Sequence, residues 1–155
     1  MDRATVVERM GEYWADSGRT PMRGRVFGYL LASPARDCDF ASIRLALDAS
    51  KSAVSLALTG LTEQGLVRAH ARPGSRRRYF SVNIDGWLGR SKREMRGVAE
   101  LNDILRGCRR LREIGQADYD PDPVTDPLGV MISFHDGFLR QVEAFFEIWG
   151  NGRPQ

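Results

Sequence analysis

The stretch of residues 39–67 constrains the fold more strongly than any other part of this 155-residue chain. Its apolar residues recur at helical spacing in two short blocks, which predicts two helices joined by a tight turn at Ala49 and Ser50. The first helix is expected to bury Ile43, Leu45, Ala46 and Leu47. We therefore expect a helix-turn-helix pair, around which the rest of the chain is arranged.

The second of these helices has one apolar face and one face of mostly small, polar side chains. Ser50 is placed to cap its first turn, and Gly65 lies just beyond its last apolar turn, where glycine commonly ends a helix. The apolar residues at i, i+3, i+4 and i+7 are Val54, Ala57, Leu58 and Leu61. The opposite face carries Lys51, Ser52, Ser55, Leu56, Thr59 and Thr62. Such a helix can enter a DNA major groove, which is about 12 Å wide.

A basic hairpin follows this helix. Residues 66–71 and 76–82 are predicted strands, and residues 72–75 have the composition of a turn. Between residues 50 and 80 there are six cations and one anion, so this segment carries 6 − 1 = +5 in a chain of net charge +3. This uneven charge favours nucleic-acid binding, with a solvated arginine-rich loop as the alternative. Arg76, Arg77 and Arg78 cannot all point the same way in a strand, so one is expected to turn inward or sideways.

Two further helices are predicted before residue 34. The first, at about residues 2–15, has an apolar face formed by Val6, Val7, Met10, Tyr13 and Trp14. The second begins at Pro21 and carries Arg23 and Arg25 in its first turn, against the helix dipole. These two arginines either reach a phosphate or pair with a neighbouring acidic residue.

The C-terminal half is predicted to form two helices on either side of a Pro- and Asp-rich linker at residues 118–127. The long helix at residues 85–114 has an apolar face of Met95, Val98, Leu101, Leu105, Cys108 and Leu111. The last helix is expected to place on one face Leu128, Met131, Phe134, Phe138, Val142, Phe145 and Trp149. Because the long helix exceeds what a small domain can cover, we expect a partner subunit. Residues 1–84 would form the winged domain, whose first helix is a candidate for the dimer interface, and residues 85–155 a dimerisation region.

Several classes of function find no support in the sequence. No apolar run approaches the roughly 20 residues of a membrane-spanning helix, and the N-terminus has no apolar signal core. Cys38 and Cys108 form no Cys-x-x-Cys pair, so a reducing cytoplasm is expected. His70 and His135 lack partners at metal-ligand spacing, and no phosphate-binding loop or nucleophile motif is present. We therefore expect no metal, no cofactor and no enzymatic activity.

Five aromatic residues leave two interpretations open. Their ring faces could enclose an apolar or cationic small molecule, or they could belong to a filled core. They are Tyr13, Trp14, Phe134, Phe138 and Trp149.

Four segments of the chain resemble the GbsR-type branch of the MarR family of bacterial transcription regulators. They are residues 24–31 (GRVFGYLL), 49–55 (ASKSAVS), 65–67 (GLV) and 73–80 (PGSRRRYF). The resemblance rests on specific motifs over roughly residues 1–85, and reaches the C-terminal helices only by layout. It implies a mainly α, homodimeric winged helix-turn-helix repressor that binds a palindromic operator in double-stranded DNA. Such regulators often release DNA when a small molecule binds.

The chain departs from this pattern at Leu56, where many such recognition helices carry a long polar or basic residue. More of the sequence specificity is therefore expected from the wing and from DNA shape. The residues expected to contact DNA are Arg23, Arg25, Ser50, Lys51, Ser52, Ser55, Thr59, Arg72, Ser75, Arg76, Arg77 and Arg78. The alternative is a winged helix used for protein contact, without selective DNA binding.

Overall fold

A computed structural model of the protein describes residues 1–115 and 126–151, with side chains to residue 149. Within these ranges the chain is mainly helical, with a small antiparallel sheet. In chain order the elements are α1 (Arg3–Asp16), α2 (Pro21–Ala32), β1 (Cys38–Asp39), α3 (Phe40–Ala46), α4 (Lys51–Glu63), β2 (Val67–Ala71), β3 (Arg78–Val82), α5 (Ile84–Gly115) and α6 (Pro127–Asn151). The chain divides into two compact units, Met1–Gly89 and Arg90–Gln155. Of the predicted linker at residues 118–127, all but the last two positions lie outside the described residues.

The helix-turn-helix consists of α3 and α4, and each of these helices begins with a side-chain cap. Asp39 accepts a hydrogen bond from the backbone N–H of Ser42 at 2.7 Å, and Ser50 accepts one from that of Ala53 at 3.2 Å. Each bond satisfies an N–H group that the first turn of a helix leaves without a partner. After α4, Gly65 adopts a φ of +72°, a left-handed conformation that glycine tolerates best. The predicted cap at Ser50 and the predicted glycine stop are both confirmed.

The core of the first unit lies between α1, α2, α3, α4 and the sheet. Its most completely buried side chains are Val26, Ile43, Val54, Leu61, Leu66 and Val67. The four residues predicted for the apolar face of α4 all belong to this core. The prediction for α3 is wrong in part, since Leu45 is 79% exposed and Ala46 is also exposed. A helix this short presents one stripe to the core, and residues four apart, here Ile43 and Leu47, occupy it.

The sheet has three strands in the order β1-β3-β2, and all pairs are antiparallel. The hairpin of β2 and β3 is the predicted wing, with Val67 opposite Val82. Strand β1 was not predicted from the sequence, and its Cys38 pairs with Phe80 of β3. The middle of β3, which is one arm of the wing, is therefore tied to the segment that leads into α3.

The second unit contains most of α5 and all of α6, which pack in opposite directions. The ammonium of Lys92 lies 5.6 Å from the ring centre of Phe146, while Arg112 near the end of α5 lies 3.3 Å from Asp126 before α6. Asp126 also accepts a hydrogen bond from the Gly129 backbone N–H at 2.9 Å, as expected of the cap of α6. No helix among the described residues is both long and apolar enough to cross a membrane.

The residues that α5 and α6 bury against each other differ in part from the predicted apolar faces. The buried cluster of this unit consists of Leu105, Leu128 and Ile132. Two large aromatics predicted for the same face, Phe134 and Phe145, are 68% and 58% exposed. The apolar surface of α6 is wider than one helix can cover, because it consists of two adjacent stripes. Helix α5 covers the stripe that contains Leu128 and Ile132, and leaves exposed the stripe that contains Phe134 and Phe145.

Candidate nucleic-acid interface

The outward face of α4 carries a stripe of residues that contributes nothing to the core. Ser52, Leu56 and Thr59 follow one another by four and three positions, so they lie along one side of the helix. All three are exposed. Lys51, also exposed, stands in the first turn, where the helix dipole adds a partial positive charge.

The wing faces one flank of α4 across an open cleft of about 820 Å³. Arg76 and Arg78 line this cleft on the wing side, and Lys51, Ser55 and Thr59 line it on the helix side. Neither of these two arginines forms an ion pair with any residue in the described part of the chain. Glu63, the last residue of α4, also lines the cleft but pairs with neither arginine. Cations that form no ion pair, opposite hydroxyl donors, are suited to bind an anionic backbone.

Arg77, between these two arginines, points elsewhere. Its Nη1 donates a hydrogen bond to Oδ2 of Asp39 at 2.7 Å. The other carboxylate oxygen of Asp39 accepts bonds from the backbone N–H and the hydroxyl of Ser42, at 2.7 and 2.8 Å. These bonds, first those from Ser42 and then that from Arg77, lower the pKa of Asp39 to about 2. One arginine of the three faces away from the others, as predicted, although only Arg78 of the three lies in a strand.

Arg72 is likewise held by an aspartate of the chain. Its guanidinium pairs with both carboxylate oxygens of Asp37, with Nε 3.2 Å from Oδ2, and it covers the ring of Tyr79 at 4.1 Å. Nε2 of His70 lies 2.7 Å from the same Oδ2. The hydrogen bonds from Arg72 and then from His70 lower the pKa of Asp37. This cluster fixes the end of the hairpin that is next to its turn, where His70 pairs with Tyr79.

These contacts change the charge that the sequence predicts for the basic segment. Its count of +5 includes Arg72 and Arg77, which the structure pairs with Asp37 and Asp39 from outside the segment. Arg68 pairs with Asp85 at 3.0 Å. Within this segment, the cations that form no ion pair with a described residue are therefore Lys51, Arg76 and Arg78.

The two arginines of α2 have different surroundings. Nη2 of Arg25 lies 2.7 Å from Glu8, so the acidic-partner interpretation holds for this residue. Arg23 forms no ion pair with any described residue, and its guanidinium rests on α4 at Gly60. A Cβ atom on Gly60 would lie 2.5 Å from the guanidinium carbon of Arg23. Gly60 lies four positions after Leu56 and so to one side of it on the helix, whereas Lys51, Ser55 and Thr59, which line the cleft, lie to the other side, so Arg23 borders α4 on the flank away from the wing.

Two serines predicted to contact DNA are already engaged in the chain. Ser50 Oγ caps α4 and lies 3.1 Å from Ser52 Oγ. Ser75 Oγ accepts a hydrogen bond from the backbone N–H of Arg77 at 3.1 Å, which shapes the tip of the wing. Their first role is to hold the local backbone.

The five aromatic candidates for a ligand pocket are divided between the two units. Trp14 is 4% exposed and lies 6.0 Å from Phe27 between ring centres, so it is part of the core of the first unit, whereas Tyr13 is exposed. Phe134 and Phe138 stack with their ring centres 6.5 Å apart on α6, and Trp149 is on the same helix. Among the described residues, no three or more His, Cys, Asp or Glu side chains come together in a way that could hold a metal ion.

Three residues that shape the candidate site were not predicted from the sequence: Asp37, Asp39 and Gly60. The aspartates act across separations of up to 38 residues, which a local charge count does not reach. Gly60 left a weak signal, because a glycine inside an otherwise regular helix costs about 1 kcal/mol and calls for a packing reason.

Comparison with known proteins agrees with this architecture. No family model matches the sequence. A solved structure described as the crystal structure of a transcriptional regulator has a TM-score of 0.61 and 25% identity to this chain, covering 97% of this chain and 99% of that one. The HTH-type transcriptional regulator MmpR5 of Mycobacterium tuberculosis is 30% identical over an alignment of 136 residues that covers 79% of this chain and 82% of that protein. The chain therefore belongs to the family of HTH-type transcriptional regulators.

Proposed function

We propose that this protein regulates transcription by binding double-stranded DNA, with α4 in the major groove and the wing on the adjacent backbone. The observation that carries the proposal is the cleft in which Arg76 and Arg78 face Lys51, Ser55 and Thr59. The two arginines have no ion-pair partner in the described part of the chain, so a phosphate can bind without displacing an existing carboxylate. Arginine suits this role because its planar guanidinium donates two parallel hydrogen bonds to a phosphate.

The direct test is selection of binding sites from a pool of random 30-base-pair duplexes, followed by titration of the recovered sequence at several salt concentrations. A regulator of this type enriches one motif and binds it about a thousandfold or more tighter than scrambled DNA. Its affinity also falls as salt rises, because each phosphate contact releases counterions. A pool that remains random after repeated rounds would exclude selective DNA binding.

The protein acts as a homodimer on a palindromic operator. Support comes from the second stripe of α6, where Phe134 and Phe145 are exposed in the single chain. Exposed apolar surface of this kind marks an interaction site. A two-fold dimer presents two copies of α4, and its half-sites would lie about one helical turn apart, near 34 Å. The sequence resemblance to the GbsR-type branch of the MarR family supports the same assembly and the role of repressor, which a reporter gene behind the selected operator tests.

The exposed stripe of α6 also supports the rival function, a module that binds other proteins. The two functions differ in what they require of the wing. A protein-binding module has no need of Arg76 and Arg78, whereas a DNA-binding regulator loses affinity when they are removed. The site selection therefore separates the two.

An effector molecule would bind in the second unit. A cavity of about 360 Å³ lies between α5 and α6, with apolar walls that include Met95, Val142 and Phe146 and with Lys92 and Glu143 among its lining residues. Its size is that of a small-molecule site, and it suits a largely apolar compound with one charged group. A compound that raises the melting temperature of the protein and lowers its operator affinity would identify the effector. The Phe146→Ala variant should lose both responses.

A further inference from the structure

Leu56 is an apolar side chain in the middle of a polar surface. It is 66% exposed, and it lies on the outward stripe of α4 between Ser52 and Thr59. The buried face of α4 is complete without it, because Val54, Ala57, Leu58 and Leu61 supply the core. Leu56 therefore adds nothing visible to the fold.

Its place on the helix is more specific than that of an ordinary exposed leucine. On one flank, Arg76 and Arg78 stand across the cleft from α4, and on the other flank Arg23 rests on Gly60. These three cations have no ion-pair partner among the described residues. Leu56 thus lies on the helix between a flank that faces Arg76 and Arg78 and a flank that carries Arg23, an arrangement that suits the two phosphate backbones bordering a groove. Its position in the first half of α4 is also where recognition helices approach base edges.

From this position we infer that Leu56 reads a thymine methyl group in each half-site, an inference that rests on the proposed binding of DNA by α4. The edges of the bases in the major groove present hydrogen-bond donors, acceptors and one apolar group, the C5-methyl of thymine. A leucine cannot hydrogen-bond, so it disfavours donor and acceptor edges that its approach would dehydrate. Against the thymine methyl it gains burial of apolar surface on both sides.

In this role Leu56 contributes to sequence preference, although it lacks the polar group with which a recognition helix usually contacts bases. Ser52, Ser55 and Thr59 are short and can bond to several base edges or to phosphates. Leu56 accepts one edge only, so the operator half-site should contain a fixed thymine opposite it. Specificity at that position comes from an apolar contact and not from a hydrogen bond.

The test uses the duplex recovered from the random pool, with each thymine replaced in turn by deoxyuracil. Uracil pairs with adenine as thymine does and lacks only the methyl group. At one position in each half-site, the replacement should lower the affinity of the wild-type protein by about fourfold, the effect of one buried methyl group. The Leu56→Ala variant should bind the thymine and uracil duplexes equally.

Two control variants separate this contact from a general effect of surface change. Leu56→Met keeps an apolar side chain at the same place, so it should retain sensitivity to the methyl group. Leu45→Ala removes another exposed leucine, on α3, and should behave as wild type. Unfolding of each variant is followed by circular dichroism, and because Leu56 is exposed its replacement should leave the melting temperature within a few degrees.

The outcomes distinguish this inference from the proposed function. Selective binding with a methyl dependence that Leu56→Ala abolishes supports both. Selective binding with no methyl dependence, or with one that Leu56→Ala retains, overturns the inference and leaves the proposed function standing. Failure to recover any selective duplex overturns the proposed function, and the inference falls with it.

Discussion

The guanidinium carbon of Arg23 lies 2.5 Å from the point that a Cβ atom on Gly60 would occupy, so this arginine is seated directly on the backbone of α4. The contact links the start of α2 to the middle of the helix that we propose enters DNA. It gives Gly60 a function that its low helix propensity alone would not predict. Any side chain at position 60 must displace the arginine.

Gly60→Ala is expected to weaken operator binding without unfolding the protein. The clash is with the end of a flexible side chain, and alanine is the better helix former by about 1 kcal/mol, so α4 should remain intact. Loss of the Arg23 position should lower affinity by about tenfold, the effect of one charged hydrogen bond. Gel-shift titration of the selected duplex measures this.

The control for this substitution is Gly97→Ala, on α5, where an added Cβ has no neighbour within 4 Å among the described residues. The double variant with Arg23→Ala should bind no more weakly than either single variant, because both act through one contact. Equal affinity for wild type, Gly60→Ala and Arg23→Ala would show that this arginine does not contact DNA.

The arginines of the wing should differ in their effect on salt dependence. Arg76→Ala and Arg78→Ala each remove a cation that lines the cleft, so each should reduce the slope of log affinity against log salt by about 0.9 per protomer. Arg77→Ala should change this slope little, since its guanidinium is bound to Asp39. Arg9→Ala removes an exposed cation from α1 and serves as the control. If all three wing variants changed the slope equally, the division between free and paired arginines would be wrong.

The helix-turn-helix and the wing were predictable because their signals are local. Helix α4 shows its signals within or next to one short segment: the spacing of Val54 to Leu61, the cap at Ser50 and the glycine at position 65. The hairpin strands likewise flank a recognisable turn. Strand β1 has two residues, which is too short for any periodicity to reveal. Its pairing with Phe80 depends on where the wing folds back, which only the tertiary structure fixes.

The geometry of the candidate site follows from the sequence where it depends on one element, and does not where it depends on two. The exposed face of α4 follows from its own helical period. The pairing of Arg77 with Asp39, of Arg72 with Asp37 and of Arg25 with Glu8 brings together residues 17 to 38 positions apart. The number of apolar residues on α6 can be counted from the sequence, because it depends on one helix. Which of them α5 covers depends on how the two helices pack, so the sequence does not show it.

Stability should decrease in acid as Asp39 becomes protonated. Its pKa is about 2 in the folded protein and near 3.8 without its hydrogen bonds, so its contribution is complete above about pH 4 and is lost as the pH falls towards 2. With solvent screening taken into account, this contribution is about 1–2 kcal/mol. Urea unfolding of wild type and Asp39→Ala at pH 7 and pH 2.5 should show a difference that shrinks at the lower pH.

Asp39→Asn separates the two parts of this contribution. Asparagine is a good helix cap, so it retains the bond from Ser42, but it has no charge to hold Arg77. This variant should be more stable than Asp39→Ala at pH 7. It should also increase the salt dependence of DNA binding, because Arg77 is released. A difference between wild type and Asp39→Ala that is the same at both pH values would contradict the role of the charge.

The dimer should dissociate when the exposed stripe of α6 receives a charge. In Phe134→Glu a carboxylate replaces an aromatic ring that is 68% exposed in the single chain, so the fold of the unit is not disturbed. In a dimer the same carboxylate would be buried without a partner, which costs several kcal/mol. Sedimentation at micromolar concentration should show wild type as a dimer and this variant as a monomer.

Ser133→Glu places the same charge on the adjacent, polar side of α6 and should remain dimeric. The monomer should also lose most of its preference for a palindrome over a single half-site, because two copies of α4 are no longer held at the operator spacing. A Phe134→Glu variant that sediments as a dimer would show that α6 is not the interface.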